Sequence, residues 1–188
     1  MSNSEHVSII EPYGGTLIDL VVSNEEREVL INRASRLPAV QLTARNLCDL
    51  ELLATGGFSP LNRFLGKNDY CSVLEEMRLH QGAIFPIPIT LSVAKQKNLK
   101  LDSEVALVDE RNNLLAVMRV EEVYEWNPEQ EARLVYGTTD LRHPLVAEMH
   151  SWGKINISGQ LQVFDLPRHY DFQHLRLTPK QVRECLLP

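Results

Sequence analysis

The stretch Gly56-Gly57-Phe58-Ser59-Pro60-Leu61-Asn62-Arg63-Phe64-Leu65-Gly66 constrains the fold more than any other part of the chain. It follows an apolar helical run, Asn46 to Thr55, that must stop at the glycine pair. Gly56 can take the left-handed conformation that closes a helix, and Gly57 lets the backbone turn away at little steric cost. Phe58, Leu61, Phe64 and Leu65 then supply large apolar side chains whose burial is worth about 1.5–3 kcal/mol each. The stretch is therefore expected as a connection pinned into the core. It is not a phosphate loop, which needs a glycine five positions before its Gly-Lys pair and a hydroxyl after it. Leu61 and Asn68 stand at those positions around Gly66-Lys67.

The length of 188 residues suits one domain, or one domain plus a fragment of another. At 44% hydrophobic and 23% charged residues, disorder and fibrous structure are excluded. The longest apolar runs fall far short of the ~20 residues that cross a bilayer. Met1-Ser2-Asn3-Ser4-Glu5-His6 lacks the basic and apolar regions of a signal peptide, and the chain reads as cytoplasmic. Cys48, Cys71 and Cys185 are odd in number, widely spaced and without a Cys-x-x-Cys pair, so they are expected to be buried thiols and not a disulfide or zinc framework.

The net charge of −6 argues against a general polyanion binder. Its distribution is uneven: from Arg142 to Arg183 six Lys or Arg stand against three acids, a local +3 that leaves −9 elsewhere. That segment is the part best suited to face an anion.

Periodicity places the remaining elements. Val7 to Ile10 is a short apolar entry and Pro12-Tyr13-Gly14-Gly15 a turn. Ser23 and Glu26 form a capping box for a helix bearing Leu30, Ala34 and Leu37, with Pro38 as its stop. Val40 to Thr43 reads as a strand. Asn68 or Asp69 is the expected cap of a third helix with Tyr70, Val73, Leu74 and Met77 on one face. Ile87 to Val93 alternates as a strand with one buried face, placed at an edge by Pro88. Glu104–Val108 and Leu114–Tyr124 read as a hairpin around Asp109-Glu110-Arg111-Asn112-Asn113. Two short helices follow, the first between Asn127-Pro128 and Gly137, the second between Pro144 and Gly153. Gly159-Gln160 reads as a turn before a last strand, Leu161–Phe164. After the aperiodic Arg168–Arg176, Thr178 caps a final amphipathic helix that stops at Pro188.

The helix ending in Gly-Gly-Phe-Ser-Pro-Leu resembles the N-terminal domain of ATP sulfurylase (sulfate adenylyltransferase). Further matches follow in order: Pro12-Tyr13-Gly14-Gly15, Gly137-Thr138-Thr139-Asp140 with His143-Pro144, and Leu177-Thr178-Pro179. Leu145 departs from the glycine that many relatives have after His-Pro. The resemblance implies an α+β fold, a PUA-like small β-barrel or mixed sheet with several short helices around it. It implies a PUA-like domain over 1–167, a linker over 168–177, and the first helix of a truncated catalytic domain over 178–188. The parent enzyme would join sulfate to the AMP part of ATP, releasing pyrophosphate, with magnesium on the nucleotide.

In that family the chemistry belongs to a Gln-x-Arg-Asn segment and a His-x-x-His pair on the following domain, and neither occurs here. Gln41-Leu42-Thr43-Ala44-Arg45-Asn46 has the wrong spacing, and His80-Gln81-Gly82-Ala83 lacks the second histidine of an adenylyl-transfer motif. No catalytic, cofactor-binding or metal residue is therefore assigned, and the chain alone is expected to be inactive and to carry no cofactor. Gly56, Gly57, Phe58, Pro60, Thr138, Thr139, Asp140 and His143 are assigned as a structural motif or domain interface. Glu121, Glu122, Glu125, Glu129 and Glu131 read as a solvated face, His143 and His150 as structural or surface residues, and Trp126 and Trp152 as core anchors. The implied partners are the chain's own catalytic domain and further copies in a homo-oligomer, with no membrane. The rival reading is a free-standing PUA-like module that binds RNA or a partner protein; against RNA stand the net charge and the lack of aromatics interleaved with Lys and Arg.

Overall fold

The computed structural model describes residues 9–94 and 99–187. Met1 to Val7 and Pro188, named above, lie outside them. Six helices and five strands follow in the order α1 (Asn24–Ala34), β1 (Ala39–Gln41), α2 (Ala44–Thr55), α3 (Lys67–Glu76), β2 (Leu91–Val93), β3 (Glu104–Val108), β4 (Leu114–Glu125), α4 (Pro128–Tyr136), α5 (Pro144–Met149), β5 (Ile155–Val163) and α6 (Pro179–Leu186). The strands form one curled mixed sheet ordered β1-β3-β4-β5-β2. β1 pairs parallel to β3, and every other pairing is antiparallel.

Period-2 alternation divides the hairpin between two cores. Val105, Leu107, Ala116, Met118 and Val120 face the main core with α2, α3 and the Gly-Gly loop. Ala106 and Val117 point the other way, against Leu30 and Ala34 of α1. The capping box of α1 forms in both directions between Ser23 and Glu26. Thr43 caps α2, and Asn127 caps α4 through bonds from the Glu129 and Gln130 amides. Asn112 takes the left-handed conformation in the hairpin loop.

Several expectations are corrected. The strand before Ala94 is only Leu91–Val93, at the sheet edge; Ile87 is exposed, and Thr90 is buried. The cap of α3 is Gly66, and Met77 is an exposed C-cap. α5 stops at Met149, before Gly153. Gly159-Gln160 is no turn, because β5 runs unbroken through it. A Cβ on Gly159 would lie 1.8 Å from the Arg119 carbonyl oxygen, so glycine is there for close strand approach. Opposite it the register slips between Val120 and Glu122. The three cysteines are exposed, so their expected burial is wrong.

That bulge re-aims two acids, as bulges do. The Glu121 carboxylate meets the Arg63 guanidinium. The Glu122 carboxylate accepts from the Lys67 amide at 2.9 Å and so caps α3, whose own cap residue has no side chain. The bulge thereby grips both the end of the Gly-Gly loop and the helix after it. The segment before β2 is tied across to α2 by side chains: Asn46 Nδ2 donates to Thr90 O at 3.1 Å and Arg45 Nη2 to Pro88 O at 3.2 Å.

Candidate functional site

Gly56 ends α2 with φ +84°, and a Cβ there would lie 2.3 Å from the Ile18 carbonyl oxygen. The glycine therefore serves the N-terminal segment, which runs directly over the helix end. Leu20 N donates to Ala54 O at 2.9 Å, and Ile18 N to Ser59 Oγ at 3.0 Å. Gly57 sits against Leu52, and Phe58 meets Phe85 edge to face at 6.0 Å. Pro60, after a cis peptide bond, packs on Gly14, so the Pro12–Gly15 turn and the Gly-Gly loop form one assembly. With Leu61, Phe64 and Leu65 buried, the loop is pinned as its composition required.

The second group lies between α4 and α5. Asp140 accepts the Arg142 amide at 2.9 Å and its guanidinium Nε at 2.8 Å, and Thr138 Oγ1 accepts the Asp140 amide at 3.1 Å. The Arg142 hydrogen bonds hold the exposed Asp140 carboxyl below its usual range. Thr139 is exposed. The His143 ring stacks on Tyr136 at 5.1 Å, and its buried Nδ1 has no hydrogen-bond partner. Thr138, Asp140 and His143 thus form one locally bonded turn, in which the His143 amide donates to Asp140 O at 2.9 Å while its ring Nδ1 is left without a partner. Among the described residues, no hydrogen bond or ring contact joins it to Gly56, Gly57, Phe58 and Pro60.

A third group, not recognised in the sequence, is the polar floor under α4 and α5. Glu131 is only 1% exposed, contrary to its assignment to a solvated face, and Tyr70 Oη donates to its carboxylate at 2.8 Å. Burial pushes the Glu131 carboxyl up, against the Tyr70 hydrogen bond and the Arg45 charge. Asp49 is also buried, and its carboxyl is raised from 3.8 to about 6 by desolvation, with Arg45 opposing. Arg45 Nε lies 3.5 Å from Asp49 Oδ2, which has no hydrogen bond. The guanidinium also sits 4.2 Å over the Trp152 ring, itself 5.8 Å from Trp126. Both tryptophans therefore anchor as expected, with Trp126 Nε1 donating to Gly153 O at 2.6 Å. The (i, i+4) spacing of Arg45 and Asp49 was the one sequence signal for this group.

Chemically, these groups brace structure. Among the described residues, no group of three or more His, Cys, Asp or Glu could hold a metal ion. Much of the basic segment is engaged by the chain itself. Arg176 binds Asp171 at 2.7 Å, Lys180 lies 3.6 Å from Asp19, and Arg183 donates to Ile10 O at 2.6 Å.

The sheet order, the flanking helices and the pinned loop define a PUA-like fold. The pattern of the PUA-like domain family matches residues 10–166, and the chain belongs to that family. It is 39% identical over 179 residues to a sulfate adenylyltransferase of Halothermothrix orenii, covering 94% of this chain and 47% of that protein. To that of Symbiobacterium thermophilum it is 40% identical over 176 residues, covering 93% and 44%. To that of Phaeosphaeria nodorum it is 40% identical over 179 residues, covering 92% and 31%. Among solved structures, a hexameric APS kinase from Thiobacillus denitrificans superposes with a TM-score of 0.73 at 29% identity, covering 95% of this chain and 31% of that one. The chain thus spans less than half the length of these relatives. Among the described residues, no helix is long and apolar enough to cross a membrane.

Proposed function

We propose that this chain is the N-terminal, non-catalytic domain of a sulfate adenylyltransferase, and that it packs against and orients the catalytic domain. The observation that carries this reading is the similarity itself, which covers at least 92% of this chain but at most 47% of the relatives. The residues agree with it: the Gly-Gly loop, the Thr138–His143 turn and the polar floor under α4 and α5 all brace the fold. α6 has no buried residue and leaves Val182 and Leu186 exposed, as the first helix of a further domain would. On this reading residues 1–167 are the PUA-like domain, 168–177 the linker and 178–188 the start of the catalytic domain. Gly56, Gly57, Phe58 and Pro60 hold the domain together, while Thr138, Thr139, Asp140 and His143 form a rigid turn offered to its neighbour. The whole protein would act in the cytoplasm on ATP and sulfate, with magnesium, as a homo-oligomer.

Two measurements test the proposal. The purified chain should show no sulfate-dependent exchange of pyrophosphate into ATP; exchange proportional to chain concentration would overturn it. In source cells, an antibody against the chain should detect a polypeptide well above 21.4 kDa, whereas a native band at that mass would remove the catalytic domain.

A further inference from the structure

We propose that Glu51 and His169 form a latch that sets the direction in which the chain leaves the PUA-like body, and that opening it frees α6 to move as a unit. His169 Nε2 lies 2.9 Å from each oxygen of the Glu51 carboxylate, and both side chains are about 70% shielded from water. The body hands the chain over in a fixed state. Arg27 binds Phe164 O at 2.9 Å and Asp165 Oδ2 at 3.2 Å, Leu166 packs on the main core, and His169 then reaches α2.

Beyond the latch the segment is closed on itself. Gln173 Nε2 donates to His169 O at 2.8 Å, and Arg176 binds both the backbone and the carboxylate of Asp171 across a single turn of 3-10 helix, Gln173–Leu175. α6 carries its own capping box between Thr178 and Gln181 and buries no side chain. The polar contacts that return it to the body, Lys180 to Asp19 and Arg183 to Ile10 O, are exposed and therefore individually weak. The latch is the better shielded of these tethers, and a charged hydrogen bond with two acceptors is the strong kind. It also sits where the segment leaves the core, so its state is carried along the stiff turn to α6. The inference concerns this chain alone and stands whether or not a catalytic domain follows.

The three exposed cysteines give a direct test. With Cys48→Ser, spin labels on Cys71 of α3 and Cys185 of α6 report the body-to-helix distance by pulsed electron resonance. A narrow distribution is expected, which Glu51→Ala and His169→Ala each broaden, and which the double variant broadens no further. Amide exchange across residues 170–187 should quicken about tenfold in each variant, the factor that corresponds to one charged hydrogen bond. If Glu51→Ala impairs folding of α2, as circular dichroism would reveal, His169→Ala carries the test alone. An unchanged narrow distribution in a folded His169→Ala variant, or a parent distribution already as broad, overturns the latch.

Discussion

The Tyr70 hydroxyl, on α3, donates a 2.8 Å hydrogen bond to the Glu131 carboxylate, on α4, where neither side chain is open to solvent. Tyr70→Phe removes the donor and leaves a buried carboxylate without it, at a cost of about 1–3 kcal/mol. Because burial already holds the Glu131 carboxyl above its usual range while the Tyr70 bond favours its ionised form, the loss should be larger at a pH above that raised range than at a pH below it. Urea unfolding of both proteins at the two pH values measures the difference. An equal cost at both would show that the bond does not act on the charged form.

Asp49 gives a second, signed dependence on pH. Its carboxyl titrates near 6 in the folded chain against 3.8 ordinarily, so the folded state binds the proton more tightly. Stability contributed by this group is present below the unfolded pKa and is lost as pH rises from about 4 to about 6. At about 1.4 kcal/mol per unit, the loss is on the order of 3 kcal/mol. Asp49→Asn should flatten the fall of melting temperature over that window, as calorimetry would record. A slope identical to the parent's would remove Asp49 as its source.

Two glycines with left-handed backbones separate strain from crowding. Gly56 (φ +84°) faces the Ile18 carbonyl, whereas Gly15 (φ +86°) has nothing within 4 Å of the position a Cβ would take. Gly15→Ala should cost only the conformational penalty of about 1–2 kcal/mol. Gly56→Ala should cost that and about 1–3 kcal/mol more, from displacing the N-terminal segment. Denaturant midpoints with a shared m value provide the comparison, and equal losses would show that the segment yields freely.

Glu122→Ala should unfasten the first turn of α3, since Glu122 supplies the cap that Gly66 lacks. The expected loss is about 1 kcal/mol, with faster amide exchange confined to residues 67–70. Loss of protection throughout the sheet instead would assign Glu122 to the bulge and not to the helix.

Signals were legible where cause and effect lie close in sequence. Ser23 with Glu26, Asn127 with Pro128, and Thr55 with Gly56 each settle a helix end within a few residues, and the structure keeps all of them. The hairpin followed from alternation and from Asn112, whereas alternation over Ile87–Val93 overstates an edge strand of which only Leu91–Val93 forms. What escaped depended on distant partners. Gly159 looks like a turn until Arg119, on the neighbouring strand, is seen to occupy the space of a side chain. Glu131 looks solvated because Tyr70, its partner, is 61 positions away. The cap of α3 comes from 55 positions downstream. The turn at Thr138–His143 was found as a motif, but the buried pair Asp49 and Glu131, sharing the field of Arg45, had only the Arg45–Asp49 spacing to announce it.

Helix α2 engages something different on each of its sides: the carbonyls before β2, the main core, the N-terminal segment and His169. A helix committed in so many directions has little room to drift. Its solvent-facing residues include Ala44 and Cys48. Those same two positions are where a dye, an affinity handle or a cross-linker could be attached with least disturbance to the rest of the domain.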